Sequence, residues 1–113
     1  MPRPSSIVIA LLALLHVYIL VLEMFFWESP TSLRAFGLTP ELAQATVAMG
    51  ANQGLYNGFL AAGLAWGLTL GVAGRSIKVF FLLFFPSIQF ILSLMTVFTY
   101  DITSLVDRLT CWN

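Results

Sequence analysis

The chain has 113 residues, of which 59% are hydrophobic and 9% charged, and its five basic and five acidic side chains give a formal net charge of zero. Ordinary soluble domains are roughly 45–50% apolar, and a soluble domain this short buries too small a fraction of its surface to hide the excess; with a mean hydropathy of +0.93, lipid is the expected solvent. Nucleic-acid binding, which needs a surplus of phosphate-neutralising charge, is excluded, and the single Cys111 rules out an internal disulfide or a zinc site of paired cysteines.

The first apolar run, residues 7–27, is about 31 Å long as a helix and so spans the hydrocarbon core. Pro2 and Pro4 bar its extension backwards. It contains His16 and Glu23 and ends in Phe25-Phe26-Trp27 without a small-residue cleavage site, so it reads as a retained membrane helix rather than a signal peptide. The terminal aromatics suit an interfacial belt. Ser29 to Leu38 reads as a polar connection.

Thr39-Pro40-Glu41 marks a helix start, with a cap, a proline at the first helical position and an acid in the first turn. That helix is expected to run to Val72 or Ala73, with residues 47–72 in the membrane. Gly50, Gly54 and Gly58, continued by Ala62, form one line of small residues. Gly63, Gly67 and Gly71 form a second line on the opposite face. Small residues at this spacing let helix backbones approach in lipid, so the second span is expected to pack on both sides.

A short turn, Ala73-Gly74-Arg75-Ser76, makes the second and third spans antiparallel neighbours. The third run, residues 77–100, carries Pro86, which predicts a kink and a freed carbonyl near Leu82, with Ser87 at hand to satisfy it. Residues 103–112 place Leu105, Val106, Leu109 and Trp112 at helical spacing and read as a short interfacial helix. The expected fold is therefore all-α, a single membrane domain of three transmembrane helices with an interfacial tail. Arg3, Arg75 and Lys78 on one side outnumber Arg34 and Arg108 on the other, which favours a cytoplasmic N-terminus.

The few polar residues inside the apolar runs lie at matched depths. His16, Asn57 and Gln89 fall near the middle of their spans. Glu23 lies about 10 Å past His16 on the same helix face, and Asn52 and Gln53 lie toward the same surface. Ser93, Thr96 and Thr99 occupy that half as well. Polar groups in hydrocarbon are costly and usually face a partner or a wet cavity. Asn52, Gln53, Tyr56, Asn57 and Gln89 are therefore candidate ligand-binding residues. In a low dielectric, a neutral imidazole at His16 and a neutral carboxylic acid at Glu23 are candidate acid–base groups, with Tyr56 as a donor to an oxyanion. The bland reading is that the amides and His16 only hydrogen-bond across helices. His16, Glu23 and one amide make a poor metal set, and no cofactor fingerprint is present.

Two stretches, His16 to Trp27 (HVYILVLEMFFW) and Ala51 to Gly63 (ANQGLYNGFLAAG), together with Phe36-Gly37-Leu38, resemble the signatures of a family of small multispan membrane proteins catalogued only as a domain of unknown function. The resemblance covers about residues 10–70. It implies an integral membrane protein, singles out His16, Glu23, Asn52, Gln53, Tyr56 and Asn57, and supplies no activity. The resemblance implies four spans; the tail here holds no fourth, so either the sequence diverges or is shortened at its end, or a homo-oligomer or partner membrane subunit fills the gap.

Three functions compete on these grounds. The first is a polar pocket in the bilayer that binds or passes a small ligand. The second is a membrane-embedded acid–base enzyme, of isomerase or epoxide-opening type, acting on a lipophilic substrate. The third is an assembly subunit whose polar contacts are structural.

Overall fold

The computed structural model describes residues 2–111; in the long last helix the side chains of residues 84–86, 88, 89, 92, 93, 96 and 100 are not among those described. Five helices follow one another, and no strand occurs among the described residues: α1 Pro4–Phe25, α2 Pro30–Phe36, α3 Pro40–Ala45, α4 Val47–Thr69 and α5 Arg75–Thr110. Residues 1–81 form one compact unit and residues 82–113 a second.

Local chemistry explains most of the boundaries. The first three helices each begin at a proline, whose missing N–H is not needed in a first turn. Ser29 and Thr39 cap α2 and α3, their hydroxyls accepting from the N–H groups of Ser32 and Leu42 at 3.2 Å. Gly37 ends α2 in the left-handed region at φ 64°. The Ser29–Leu38 connection is thus largely helical. Its start and stop signals were legible, but a seven-residue helix is too short to announce itself by periodicity.

The single helix expected from Thr39 to Val72 is interrupted at Thr46. There the backbone turns to φ −118°, ψ 19°, and the Thr46 hydroxyl donates to the Leu42 carbonyl at 2.6 Å. Such a bond can bend a helix, and here the same hydroxyl also accepts from the Trp27 Nε1. At the other end α4 stops at Thr69, three or four residues short of expectation. Gly71 adopts φ 58° there, and the Lys78 Nζ donates to its carbonyl at 2.8 Å.

The tail differs as well. Helix α5 runs unbroken from Arg75 through position 86 to Thr110, so residues 103–110 are its last turns rather than a separate interfacial helix. No glycine or proline separates Tyr100 from Thr103 to stop it. The hydroxyls of Ser87, Thr99, Thr103 and Thr110 each donate to the carbonyl four residues back, at 2.7, 2.8, 2.8 and 3.0 Å. Ser87 therefore serves the Leu83 carbonyl, not that of Leu82. Trp112 and the side chains of Gln89, Ser93 and Thr96 lie outside the described residues.

Among the described residues one helix, α1, is long and apolar enough to cross a membrane. The expected second span falls short by composition: α4 carries Asn52, Gln53 and Asn57 and five glycines in 23 residues.

The core of the first unit is the antiparallel seam between α1 and α4. A Cβ added to Gly50 would sit 2.5 Å from the Trp27 ring, one on Gly54 2.5 Å from the Met24 Cγ and 3.1 Å from the Glu23 Cβ, and one on Gly58 2.6 Å from the Leu20 Cδ1. The first glycine line is thus the surface on which α1 lies. The second faces the first turns of α5: Gly63 is covered by Phe81, and Gly67 by Lys78 and the Gly74 carbonyl. Gly71 belongs to the turn and packs against nothing.

Candidate functional site: a carboxyl, an amide and an imidazole in the α1–α4 seam

The interruption at Thr46 and the glycine line together bring α1 so close to α4 that polar side chains near mid-seam must meet. Asn57 stands on α4 just before Gly58, and His16 and Glu23 face it from α1, two helical turns apart. The Asn57 Nδ2 donates to the Glu23 Oε2 at 2.7 Å and to the Gln53 backbone carbonyl at 3.1 Å. The Asn57 Oδ1 lies 2.6 Å from the His16 Nδ1.

These partners set the direction of each bond. A backbone carbonyl can only accept, so the nitrogen of the amide points toward Gln53 and Glu23, and its oxygen toward His16. An amide oxygen can also only accept, so the His16 Nδ1 must carry the proton. In the neutral ring this leaves the lone pair on Nε2, and among the described residues no hydrogen bond engages that atom. Asn57 is the hub: one amide fixes the orientation of the imidazole and holds the carboxyl.

Burial follows the same order. Glu23 and Asn57 are only 6% and 8% exposed, while His16 is half-buried. No buried side-chain polar atom among the described residues lacks a partner. The Glu23 Oε1 carries no hydrogen bond and is not fully enclosed, so the trio presents that oxygen and the imidazole edge outward.

The other sequence candidates are not gathered there. Asn52 and Tyr56 are exposed, on the α4 face that continues toward Gly63. Gln53 contributes its backbone carbonyl to Asn57. Gln89 falls outside the described side chains. Among the described side chains, the polar residues expected at matched depths meet in one three-residue contact, His16, Glu23 and Asn57.

Sequence reasoning missed the closure beside it. Trp27, expected in an interfacial belt, is only 7% exposed. Its ring lies on Gly50 and against Phe36 at a centroid distance of 5.3 Å, and its Nε1 donates to the Thr46 hydroxyl at 3.2 Å. Ser32 and Ala43 beneath α2 and α3 are wholly buried, whereas Phe25 and Phe26 point out, 69% and 55% exposed. The signal that could have found this was register. Once Leu20 pairs with Gly58 and Met24 with Gly54, the next bulky residue on α1 must meet Gly50.

On the far side the seam opens. Beyond Gly58 lies an apolar groove of about 550 Å³, lined on α1 by Ala10, Ala13, Leu14, Val17 and Leu20 and on α4 by Gly58, Ala61, Ala62, Ala65 and Leu68. Its inner end, at Leu20 and Gly58, is level with Asn57. Among the described residues no three His, Cys, Asp or Glu side chains gather, so the trio offers a metal only His16 and Glu23, already bonded to one amide.

The model of a family described as protein of unknown function (DUF1304) matches residues 10–101, which takes in α1 from Ala10, all of α2, α3 and α4, and most of α5. The chain belongs to this family. No curated protein and no solved structure matches it. In this DUF1304 chain the matched region includes all three residues of the trio as well as Trp27 and Thr46.

Proposed function

We propose that the chain is a multi-pass integral membrane protein, with the lipid bilayer as its surroundings, whose α1–α4 seam holds a ligand-binding site centred on His16, Asn57 and Glu23. The composition and the long apolar α1 support the membrane placement. One observation carries the site: Asn57 is bonded to both ionisable residues at once, which leaves the His16 Nε2 and the Glu23 Oε1 as oriented groups at the edge of the cluster. Such an edge suits a small ligand that presents an N–H or O–H group. Closure by Trp27 on the α2–α3 side favours a ligand that arrives from the bilayer rather than from water.

A second reading draws on the same order of groups. A carboxyl that orients an imidazole through an amide is a workable acid–base arrangement, in which the His16 Nε2 takes a proton from a lipophilic substrate as an isomerisation or epoxide opening begins. Asn57 is then a positioning residue. The N-terminus is proposed to be cytoplasmic, and a second copy or a partner subunit is proposed to cover what the chain leaves open.

Native mass spectrometry of the detergent-extracted protein tests the site. The wild type is expected to carry a small-molecule adduct that His16→Ala and Glu23→Gln both lose while their melting temperatures stay within a few degrees of wild type. A set of adducts that neither change alters, or a wild type that carries none, overturns the site. Turnover of a co-extracted lipid by wild type and not by Glu23→Gln would select the enzyme over the binding protein.

A further inference from the structure

The groove beyond Gly58 has a length, a lining and a charged mouth, and these agree on one occupant. Ala10 to Leu20 on α1 and Gly58 to Leu68 on α4 each cover about 15 Å. The two walls therefore run side by side for the same distance. Every lining residue is alanine, glycine, leucine or valine; no aromatic or polar side chain breaks the wall. Such a slot suits an extended hydrocarbon chain better than a compact or ring-shaped molecule. Its inner end is blocked where Leu20 meets Gly58.

The outer end is basic. Because α1 and α4 are antiparallel, the end at Ala10 and Leu68 is also the end of the α1 N-terminus and of the α4–α5 turn. Arg3 and Arg75 are exposed there, while Lys78 lies against Gly67 on the opposite face of α4 and donates to the Gly71 carbonyl. The acids within residues 1–81 are Glu23, Glu28 and Glu41, all toward the opposite end of the seam. Two arginines and no acid of residues 1–81 thus lie at the mouth end of an apolar slot.

We propose that this groove binds one acyl chain of an anionic phospholipid, with its phosphate-bearing head at Arg3 and Arg75 and the chain end at Leu20 and Gly58. The inference rests on the membrane placement proposed above and not on the ligand of the polar trio. Each basic residue near an anionic headgroup is worth about a fivefold preference.

The test uses the whole chain in detergent, mixed with equal amounts of a phosphatidylglycerol and a phosphatidylcholine of identical chains, and reads bound lipid by native mass spectrometry. Wild type is expected to retain one phosphatidylglycerol preferentially. Ala65→Phe, at an exposed position on the groove wall, should abolish that adduct, and Ala62→Leu should weaken it. Arg75→Gln should lower the preference about fivefold, and Glu23→Gln should leave it unchanged. Helix content by circular dichroism identifies a variant that has not folded, in which case the other wall variant decides. Equal retention of the two lipids by wild type, or undiminished retention in the folded wall variants, overturns the proposal. Displacement by an equal concentration of palmitate would show that a free carboxylate amphiphile suffices and would overturn the phospholipid assignment. A chain that fails to float with vesicles in a density gradient defeats the membrane placement itself; one that floats without phosphatidylglycerol preference defeats only the lipid site.

Discussion

The two ends of the α1–α4 seam are built from the same two helices and differ in one respect. Toward α2 and α3, each small residue on α4 meets a large one on α1: Gly50 under Trp27, Gly54 under Met24, Gly58 under Leu20. Toward the α4–α5 turn, α4 offers Ala61, Ala62 and Ala65 and α1 offers Ala10 and Ala13 beside Leu14 and Val17, no glycine there is filled by a bulky α1 partner, and the seam opens into a groove. Glycine is thus no closure device by itself. It closes a helix pair where the partner supplies bulk, and in lipid that closeness is the main source of van der Waals adhesion. The polar trio stands at the boundary, where the close approach ends.

The sharpest way to break this contrast is to add bulk at the closed end. Gly54→Val puts a branched side chain against Met24, the Glu23 Cβ and the Leu20 carbonyl, and is expected to cost about 3 kcal/mol in reversible unfolding from mixed micelles. A loss below about 1 kcal/mol would mean that the helices are not held this tightly. Next is the hub. Asn57→Leu leaves the His16 Nδ1 and the Glu23 carboxyl without their shared partner, and about 2 kcal/mol should be lost. In a double-mutant cycle the added cost of Glu23→Ala should then shrink, since the two changes remove the same bond.

Trp27→Phe keeps most of the ring on Gly50 but deletes the bond to Thr46; about 1 kcal/mol is expected in the same assay. The smallest effect belongs to the open end. Ala65→Leu adds the same three carbons as Gly54→Val, yet it should change stability by no more than about 0.5 kcal/mol, because an exposed groove wall has space to take them. Equal penalties at positions 54 and 65 would erase the distinction between the two ends.

Much of this arrangement could be read from residue order. The glycine spacing announced a helix with two packing faces, and His16 and Glu23, seven residues apart, had to share a face. Three things were not legible, each for a physical reason. The break falls at Thr46, whose hydroxyl also accepts from Trp27, but threonine hydroxyls bond the carbonyl four residues back in unbroken α5 as well, so its presence alone could not signal this. Asn52 and Tyr56 lie at the right depth but on the wrong side of α4, because depth along a helix says nothing of azimuth until the packing face is known. Trp27 obeys a pairing across two helices, and a composition rule for membrane interfaces could not distinguish it from its neighbours Phe25 and Phe26. The trio itself was foreseeable as a set of residues; the bridging role of Asn57 depended on a bond direction that only coordinates supply.

Lys78 is the sole lysine of the chain, and its ammonium clasps the Gly71 carbonyl across the α4–α5 turn. Lysine acylation therefore changes this chain at one side chain, and because it neutralises the ammonium it weakens the clasp on the turn.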